Sequence, residues 1–231
     1  MNSKVKIEEL TIVIVSYKSA EKVLNILKKT RNFCKFIIIE NSNDKKFKNL
    51  VNKKFKRNIK VILSNNIGYG NAVNLAFRYV NTKYFLAFGP DIDGIKYVDL
   101  IEFIKSANKI KKFGALGPRY MENRSNKNLI QSNQNKKISK IECLSGAVLF
   151  FESKTFKKLN GFDKNIFLFF EENDFSRRAN KKGFYSYQIN SIKVHHQHGK
   201  SVKTINQKEK NIISLLIAWH FTWSKFYYFK K

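Results

Sequence analysis

This sequence is short of cysteine, proline, glycine, acid and long apolar runs, and several of these shortages exclude something. Cys34 and Cys143 are its two cysteines. No disulfide framework and no cysteine-based zinc site follows, and the chain suits a reducing compartment. No stretch reaches the ~18 apolar residues of a membrane-spanning helix. The nearest approach, IISLLIAWHFTW, is too short. The opening MNSKVKIEEL lacks the apolar core of a secretion signal, so the cytoplasm is the expected location.

The shortage of acid bears most on partners. There are 17 Asp and Glu against 45 Lys and Arg, a net charge of +28. One source of such a charge is an anionic partner, whether nucleic acid, nucleotide phosphates or an acidic membrane face. Another is coding bias, because Lys, Asn, Ile and Phe are abundant while Pro and Gly are scarce, as an AT-rich genome produces. The lysines spread along the whole chain instead of clustering, so nucleic acid is not the expected partner. A length of 231 residues suits one large domain, or one with a short appendage, and allows a sizeable core.

The first half alternates regularly. TIVIVSY from Thr11, FIIIE from Phe36, VILS from Val61 and YFLAF from Tyr84 read as buried strands, and helical stretches separate them. Such alternation means βαβ units and a mostly parallel central sheet flanked by helices, an α/β fold. Ligands of such sheets bind beyond the carboxyl ends of the strands. The segments to inspect are therefore Ser16 and Tyr17, Glu40 to Asp44, Ser64 to Gly70, and Gly89 to Asp93. Tyr120 to Lys140 is polar and aperiodic and reads as a mobile loop. IECLSGAVLFFES returns to strand character, TFKKLNGF reads as a short helix closed by Gly161, and GFYSYQINSIKVHH holds one or two strands. Residues 1–205 are expected to form one continuous domain, and 206–231 an aromatic, basic helical tail.

Each motif has a bland reading beside the chemical one. GPDIDG sets Asp91 and Asp93 at a strand end, two residues apart, where both can face a cleft and hold a hard divalent ion. It is equally an Asp-Gly turn. ENSND, with Glu40 and Asn41, can hydrogen-bond a base or ribose, or form an Asx turn. SNNIGYGNAVN, with Asn66, Gly68 and Asn74, offers helix-start N–H groups to a phosphate, or a helix simply capped by Asn71. SGAVLFF places Ser145, Gly146 and Ala147 where the backbone can lie close to a ligand, or where a strand packs tightly.

The order of the pieces is more informative. A strand ending SY, then ENSND, NNIGYGNAVN, PD after an aromatic strand, GPRY, LSGAVLFF, GFD, FFEENDFSRR and VHHQHGKS resembles the family 2 glycosyltransferases, and most resembles their bacterial rhamnosyltransferase-like branch, over roughly residues 10 to 201. The resemblance implies a GT-A fold, a nucleotide-diphosphate sugar donor (UDP- or dTDP-linked), Mg²⁺ or Mn²⁺, and inversion at the anomeric carbon. It implies a saccharide or lipid-linked acceptor in cell-surface polysaccharide synthesis. Donor-binding positions carried over are Ser16, Tyr17, Glu40, Asn41, Asn66, Gly68, Asn74, Asp91, Gly146 and Arg178. Glu40 matches the acid that reads the base, and Asp91 the last acid of the metal motif. Asp93 and His196 join Asp91 as metal candidates, with the histidine register open between His195, His196 and His198. Gly89 stands where that branch usually has Asn, so the first metal-side group is missing.

The resemblance also gives the acids of FFEENDFSRR a role. Glu171 and Glu172 match an acidic pair that supplies the catalytic base. Glu172 stands at the base position, where an Asp is usual, and Asp174 completes the catalytic candidates. An aromatic surround would raise a carboxyl pKa, while a helix N-terminus would lower it. Asp174 and Arg178, at i and i+4, can pair on one helix face, where they would hold the helix and cleft in place. Without the resemblance, the same acids read as a solvated first turn. The tail AWHFTWSKFYYFKK reads either as an interfacial helix at a membrane face or as an aromatic helix packed on the core or in a dimer. Two rival functions remain: a nucleotide-sugar binding protein without turnover, and a basic nucleic-acid-binding protein.

Overall fold

The computed structural model describes residues 6–30, 33–55, 58–121, 136–197 and 206–231. A 3-10 turn at Ile7–Glu9 leads into β1 (Leu10–Ser16), a strand of β-branched and apolar residues buried at every position. Then follow α1 (Ala20–Thr30), β2 (Lys35–Glu40), α2 (Lys45–Lys54), β3 (Ile59–Leu63), α3 (Tyr69–Phe77) and β4 (Tyr84–Phe88). The four strands pair in the order β3-β2-β1-β4, all parallel, as the alternation of runs and helices requires.

The second half departs from the parallel pattern. It comprises β5 (Ile92–Asp93), α4 (Tyr97–Ile110), β6 (Leu116–Tyr120), β7 (Ile138–Ile141), β8 (Val148–Glu152), α5 (Ser153–Lys158), α6 (Glu171–Lys181), β9 (Ser186–His196) and α7 (Gln207–Lys230). β8 runs antiparallel to β4 and to β6; β6 and β9 are parallel; β5 and β7 pair antiparallel with β9. The sheet is therefore mixed, and its parallel half carries the βαβ units. β7 begins inside the stretch read as a loop, while 122–135 of that stretch lie outside the described residues.

Period-two alternation sorts the strands' side chains onto two cores. Leu10, Ile12 and Ile14 of β1, Phe36 and Ile38 of β2, and Leu86 and Phe88 of β4 meet Val23 and Leu27 of α1, Phe47 and Val51 of α2, and Leu100 and Phe103 of α4. Val13, Ile37, Phe85 and Phe151 face the other way, toward Ala72, Val73 and Ala76 of α3, Phe156 of α5, and Phe175 and Ala179 of α6. Small residues on α3 let it sit close to the sheet. Phenylalanine fills the rest: the Phe151 ring lies 5.0 Å from Phe85, 4.9 Å from Phe156 and 5.2 Å from Phe175.

Candidate functional site

Strand direction decides where chemistry gathers. β1, β2 and β4 are parallel, so Ser16, Glu40 and Phe88 end on one edge. β8 opposes β4, with Val148 across from Phe88, and this brings Ser145, Gly146 and Ala147 to the same edge. β6 and β9 run parallel with Tyr120 opposite Val194, and β5 returns Ile92 opposite His196. Residues more than a hundred positions apart thus converge.

Asp91 and His196 are the tightest of these pairs. His196 Nε2 lies 3.3 Å from Asp91 Oδ2, and Asp91 is buried. A methyl on Gly89 would stand 2.7 Å from Asp91 Oδ1, so glycine leaves room for that carboxylate. Asp93 does not join them: it is exposed, and its Oδ1 accepts the Gly94 N–H at 2.9 Å. His195 is exposed, and His198 lies outside the described residues. Among the described residues no three His, Cys, Asp or Glu side chains converge as a complete metal cage. One carboxylate and one imidazole are a donor set that suits Mn²⁺ better than the harder, oxygen-seeking Mg²⁺, when a ligand's own oxygens fill the remaining positions.

The acid pair opens α6. Glu171 packs against Gly70 of α3, where a methyl would stand 3.3 Å from its Cβ, and its Oε2 is buried without a hydrogen bond. Glu172 lies over Gly146, where a methyl would stand 3.3 Å from Oε2. Burial and helix start oppose one another here, and burial wins. Burial pushes the Glu172 carboxyl up to about 7, against the pull of its own and Gly146's backbone N–H groups. Glu171 is pushed well up by burial and then by its charged neighbour Glu172. Such a carboxylate is a stronger base than one in water.

Other expected residues turn out to hold the fold. Asp174, a catalytic candidate also expected to hold the helix with Arg178, is 1% exposed and binds Arg178 Nε at 2.7 Å and Lys231 Nζ at 2.8 Å. Arg178, expected at the donor, gives the rest of its guanidinium to the carbonyls of Leu159 and of Gly161, the latter at 2.7 Å. Asn74 likewise clasps the Phe162 backbone, donating to its carbonyl at 2.9 Å and accepting its N–H at 3.0 Å. At the helix start marked by Gly68, one of the N–H groups offered to a phosphate is taken by the protein itself. Tyr69 N–H donates to the Phe167 carbonyl at 3.0 Å, and a Cβ at Gly68 would stand 2.0 Å from that oxygen. Gly68 caps α3 at φ +83° because another backbone lies against it, and Asn71 is not the cap. Asn41 stitches β2 to this loop: its Nδ2 donates to Asn66 Oδ1 at 3.2 Å and its Oδ1 accepts Ile67 N–H.

Three residues keep a place at the edge. Ser16 is buried, and its hydroxyl lies 3.2 Å from that of Ser19; Tyr17 follows it, half-buried. Glu40 is 1% exposed; its Oε1 accepts Ser42 N–H at 2.9 Å, while its Oε2 is buried with no hydrogen bond. A buried oxygen with no donor is costly unless a ligand supplies one. Sequence reading missed Tyr69 and Tyr120, whose buried hydroxyls lie within the field of Asp91 and Glu172, Tyr69 also within that of Glu171, and are held protonated by burial above all. GPRY marked the strand but carried no sign of where its tyrosine points.

The fold is that of the GT-A glycosyltransferases, a mixed sheet flanked by helices. The chain superposes on GalNAc-T7, crystallised with UDP, GalNAc and Mn²⁺, with a TM-score of 0.63 and 11% identity, over 81% of this chain and 43% of that one. It superposes on S. aureus TarS 1-349 in complex with UDP-GlcNAc with a TM-score of 0.62 and 14% identity, over 87% and 60%. In sequence it is 20% identical over 213 residues to the low-salt glycan biosynthesis hexosyltransferase Agl10 of Haloferax volcanii, covering 82% of this chain and 67% of the relative. The chain thus spans less than two thirds of each of these two solved structures. No family model matches it.

Proposed function

We propose that the chain is an inverting hexosyltransferase that moves a sugar from a UDP- or dTDP-linked donor to a saccharide or lipid-linked acceptor. The observation that carries this reading is the acid pair at the start of α6, Glu171 buried and Glu172 half-buried, which shares the neighbourhood of Tyr69 and Tyr120 with Asp91. Glu172 takes the proton of the acceptor hydroxyl as that oxygen attacks the anomeric carbon from the face opposite the diphosphate. One bond forms as the other breaks, and the nucleoside diphosphate leaves. The charge of Glu172 in turn helps keep a proton on Glu171. Glu40 uses its free oxygen on an N–H of the base, with Ser16 and Tyr17 alongside. Asp91 and His196 would hold Mg²⁺ or Mn²⁺, which supplies positive charge for the leaving diphosphate. The motif order favours the rhamnosyltransferase-like branch of family 2 and a role in surface polysaccharide synthesis.

A lipid-linked acceptor fits α7. Among the described residues no helix is long and apolar enough to cross a membrane. Yet α7 exposes Leu215, Trp219 and Phe226 by 70%, 64% and 57%, with Lys208, Lys210, Lys225 and Lys230 on the same helix. That surface suits peripheral contact with an anionic cytoplasmic leaflet.

The test is a thermal-shift titration of UDP and dTDP with and without Mn²⁺, on wild type and Asp91→Ala, followed by acceptor-dependent release of nucleoside diphosphate. A ligand at 100 times its Kd stabilises by ~2.7 kcal/mol. A metal-dependent shift lost in Asp91→Ala is expected. No shift with either nucleotide overturns the reading, and binding without release under any acceptor leaves a nucleotide-sugar binding protein in its place.

A further inference from the structure

The aromatic run that precedes the acid pair adopts a conformation its residues do not favour. Phe169 and Phe170 both have positive φ, 66° and 67°, and neither is glycine. Bulky side chains rarely occupy that region, and two in succession persist only where the surroundings hold them. Phe170 is also the N-cap of α6 and makes no side-chain capping bond. The placement of Glu171 and Glu172 therefore depends on whatever grips this turn from outside.

Two elements grip it. On the donor side, α3 donates the Tyr69 N–H to the Phe167 carbonyl. On the other side lies α7. His220 stacks on Phe167 with ring centroids 4.1 Å apart and planes 19° apart. Phe221 meets both Phe169 and Phe170 at 5.6 Å, and Tyr228 meets Phe170 at 5.5 Å. Ser224 Oγ donates to the Leu168 carbonyl at 2.8 Å. The pattern of burial is telling. A helix added to complete a core would bury its leucines and tryptophans, but α7 leaves those exposed, and its fully buried residue is the serine that binds the turn.

We infer that α7 is a positioning element for the acid pair, with His220, Phe221, Ser224 and Tyr228 as positioning residues that act through the Phe167–Phe170 turn. This rests on the proposed role of Glu172, and adds that α7, which bears no group for the chemistry, governs the setting of the base. Loosening the grip lets water reach the start of α6. The carboxyls are then less desolvated, while the edge formed by Ser16, Glu40 and Asp91 stays as it was. The other titratable groups facing the pair are Tyr69 on α3, Tyr120 on β6 and Cys143 after β7, and none of them lies on α7.

The experiment uses the whole chain, labelled with ¹³C at glutamate side-chain carboxyls, as wild type, Ser224→Ala, Phe221→Ala, Ser224→Thr and Ser214→Ala. Glu171→Gln and Glu172→Gln assign the signals. The pair should titrate about one unit lower in Ser224→Ala and Phe221→Ala, a tenfold change in proton affinity. Ser224→Thr, which keeps the hydroxyl, and Ser214→Ala, on the far part of α7, should titrate as wild type. UDP affinity with Mn²⁺ should change less than about threefold, well under 1 kcal/mol. Should Phe221→Ala fail to fold, Ser224→Ala against Ser224→Thr still decides. Wild-type titration in both Ser224→Ala and any folded Phe221→Ala overturns the inference, as does an equal shift in Ser214→Ala. If wild type binds no UDP, the transferase reading falls, yet the carboxyl titrations still report whether α7 sets the pair.

Discussion

Replacing Glu172 by Gln separates catalysis from stability, because the two should move in opposite directions. Glu172 carries a carboxyl pushed from the ordinary 4.5 to about 7 by burial. A raised folded-state value means the folded protein holds this proton more tightly than the unfolded chain does. Stability from this group is thus fully present below about pH 4.5 and is lost as pH rises toward 7. The full shift corresponds to about 3 kcal/mol, and allowing for the part of the side chain open to the cleft leaves about 2 kcal/mol. Glu172→Gln abolishes the loss. It also removes the charge that helps push Glu171 up, so its benefit adds to that one. Urea denaturation at pH 4 and pH 8 reads the effect directly. The variant should match wild type at pH 4 and exceed it by about 2 kcal/mol at pH 8, while acceptor-dependent UDP release falls by about 10²-fold or more. With Glu172 as the proposed base, wild-type activity should rise with pH through about 7 as that carboxyl loses its proton. A variant no more stable than wild type at pH 8 would refute the claim that this carboxylate is held at a cost.

Two further outcomes test the frame around the site. Gly68→Ala should destabilise by about 2 kcal/mol or more, because its methyl meets the Phe167 carbonyl at 2.0 Å and its φ is +83°, with the melting temperature as readout. Phe151→Ala should cost about 3–5 kcal/mol by chemical denaturation, since its ring sits among Phe85, Phe156, Phe162 and Phe175; a loss below 1 kcal/mol would mean that core can collapse around the gap.

The parallel half of the sheet was legible because apolar runs of strand length alternate with amphipathic stretches, and that alternation allows few topologies. The antiparallel entry of β8 was not, since a run such as VLFF has no direction of its own. The order of motifs singled out Glu171 and Glu172 but not their titration, because burial and helix start act in opposite senses and three-dimensional packing decides between them. Asp174 and Arg178 show the reverse case: their i, i+4 pairing was readable, and the structure forms it. Asn74 and Gly68 looked like ligand contacts because polar and glycine residues at a helix start serve either purpose. Their partners, Phe162 and Phe167, lie 88 and 99 positions further along the chain. Of the tail's two readings the packed one describes a face of α7, which lies on the turn, while another face is exposed.

Trp219 and Trp223 are the chain's two tryptophans, and both project from α7 at 64% and 45% exposure. Ultraviolet emission excited at the red edge of protein absorption therefore comes from this one helix and from nowhere in the sheet. Contact of α7 with vesicles should shift that emission toward the blue, nucleotide entering at the strand ends should leave it nearly unchanged, and release of α7 from the phenylalanine turn should alter it again. The protein thus carries its own dye on the element whose movements are worth following, and needs no label to report them.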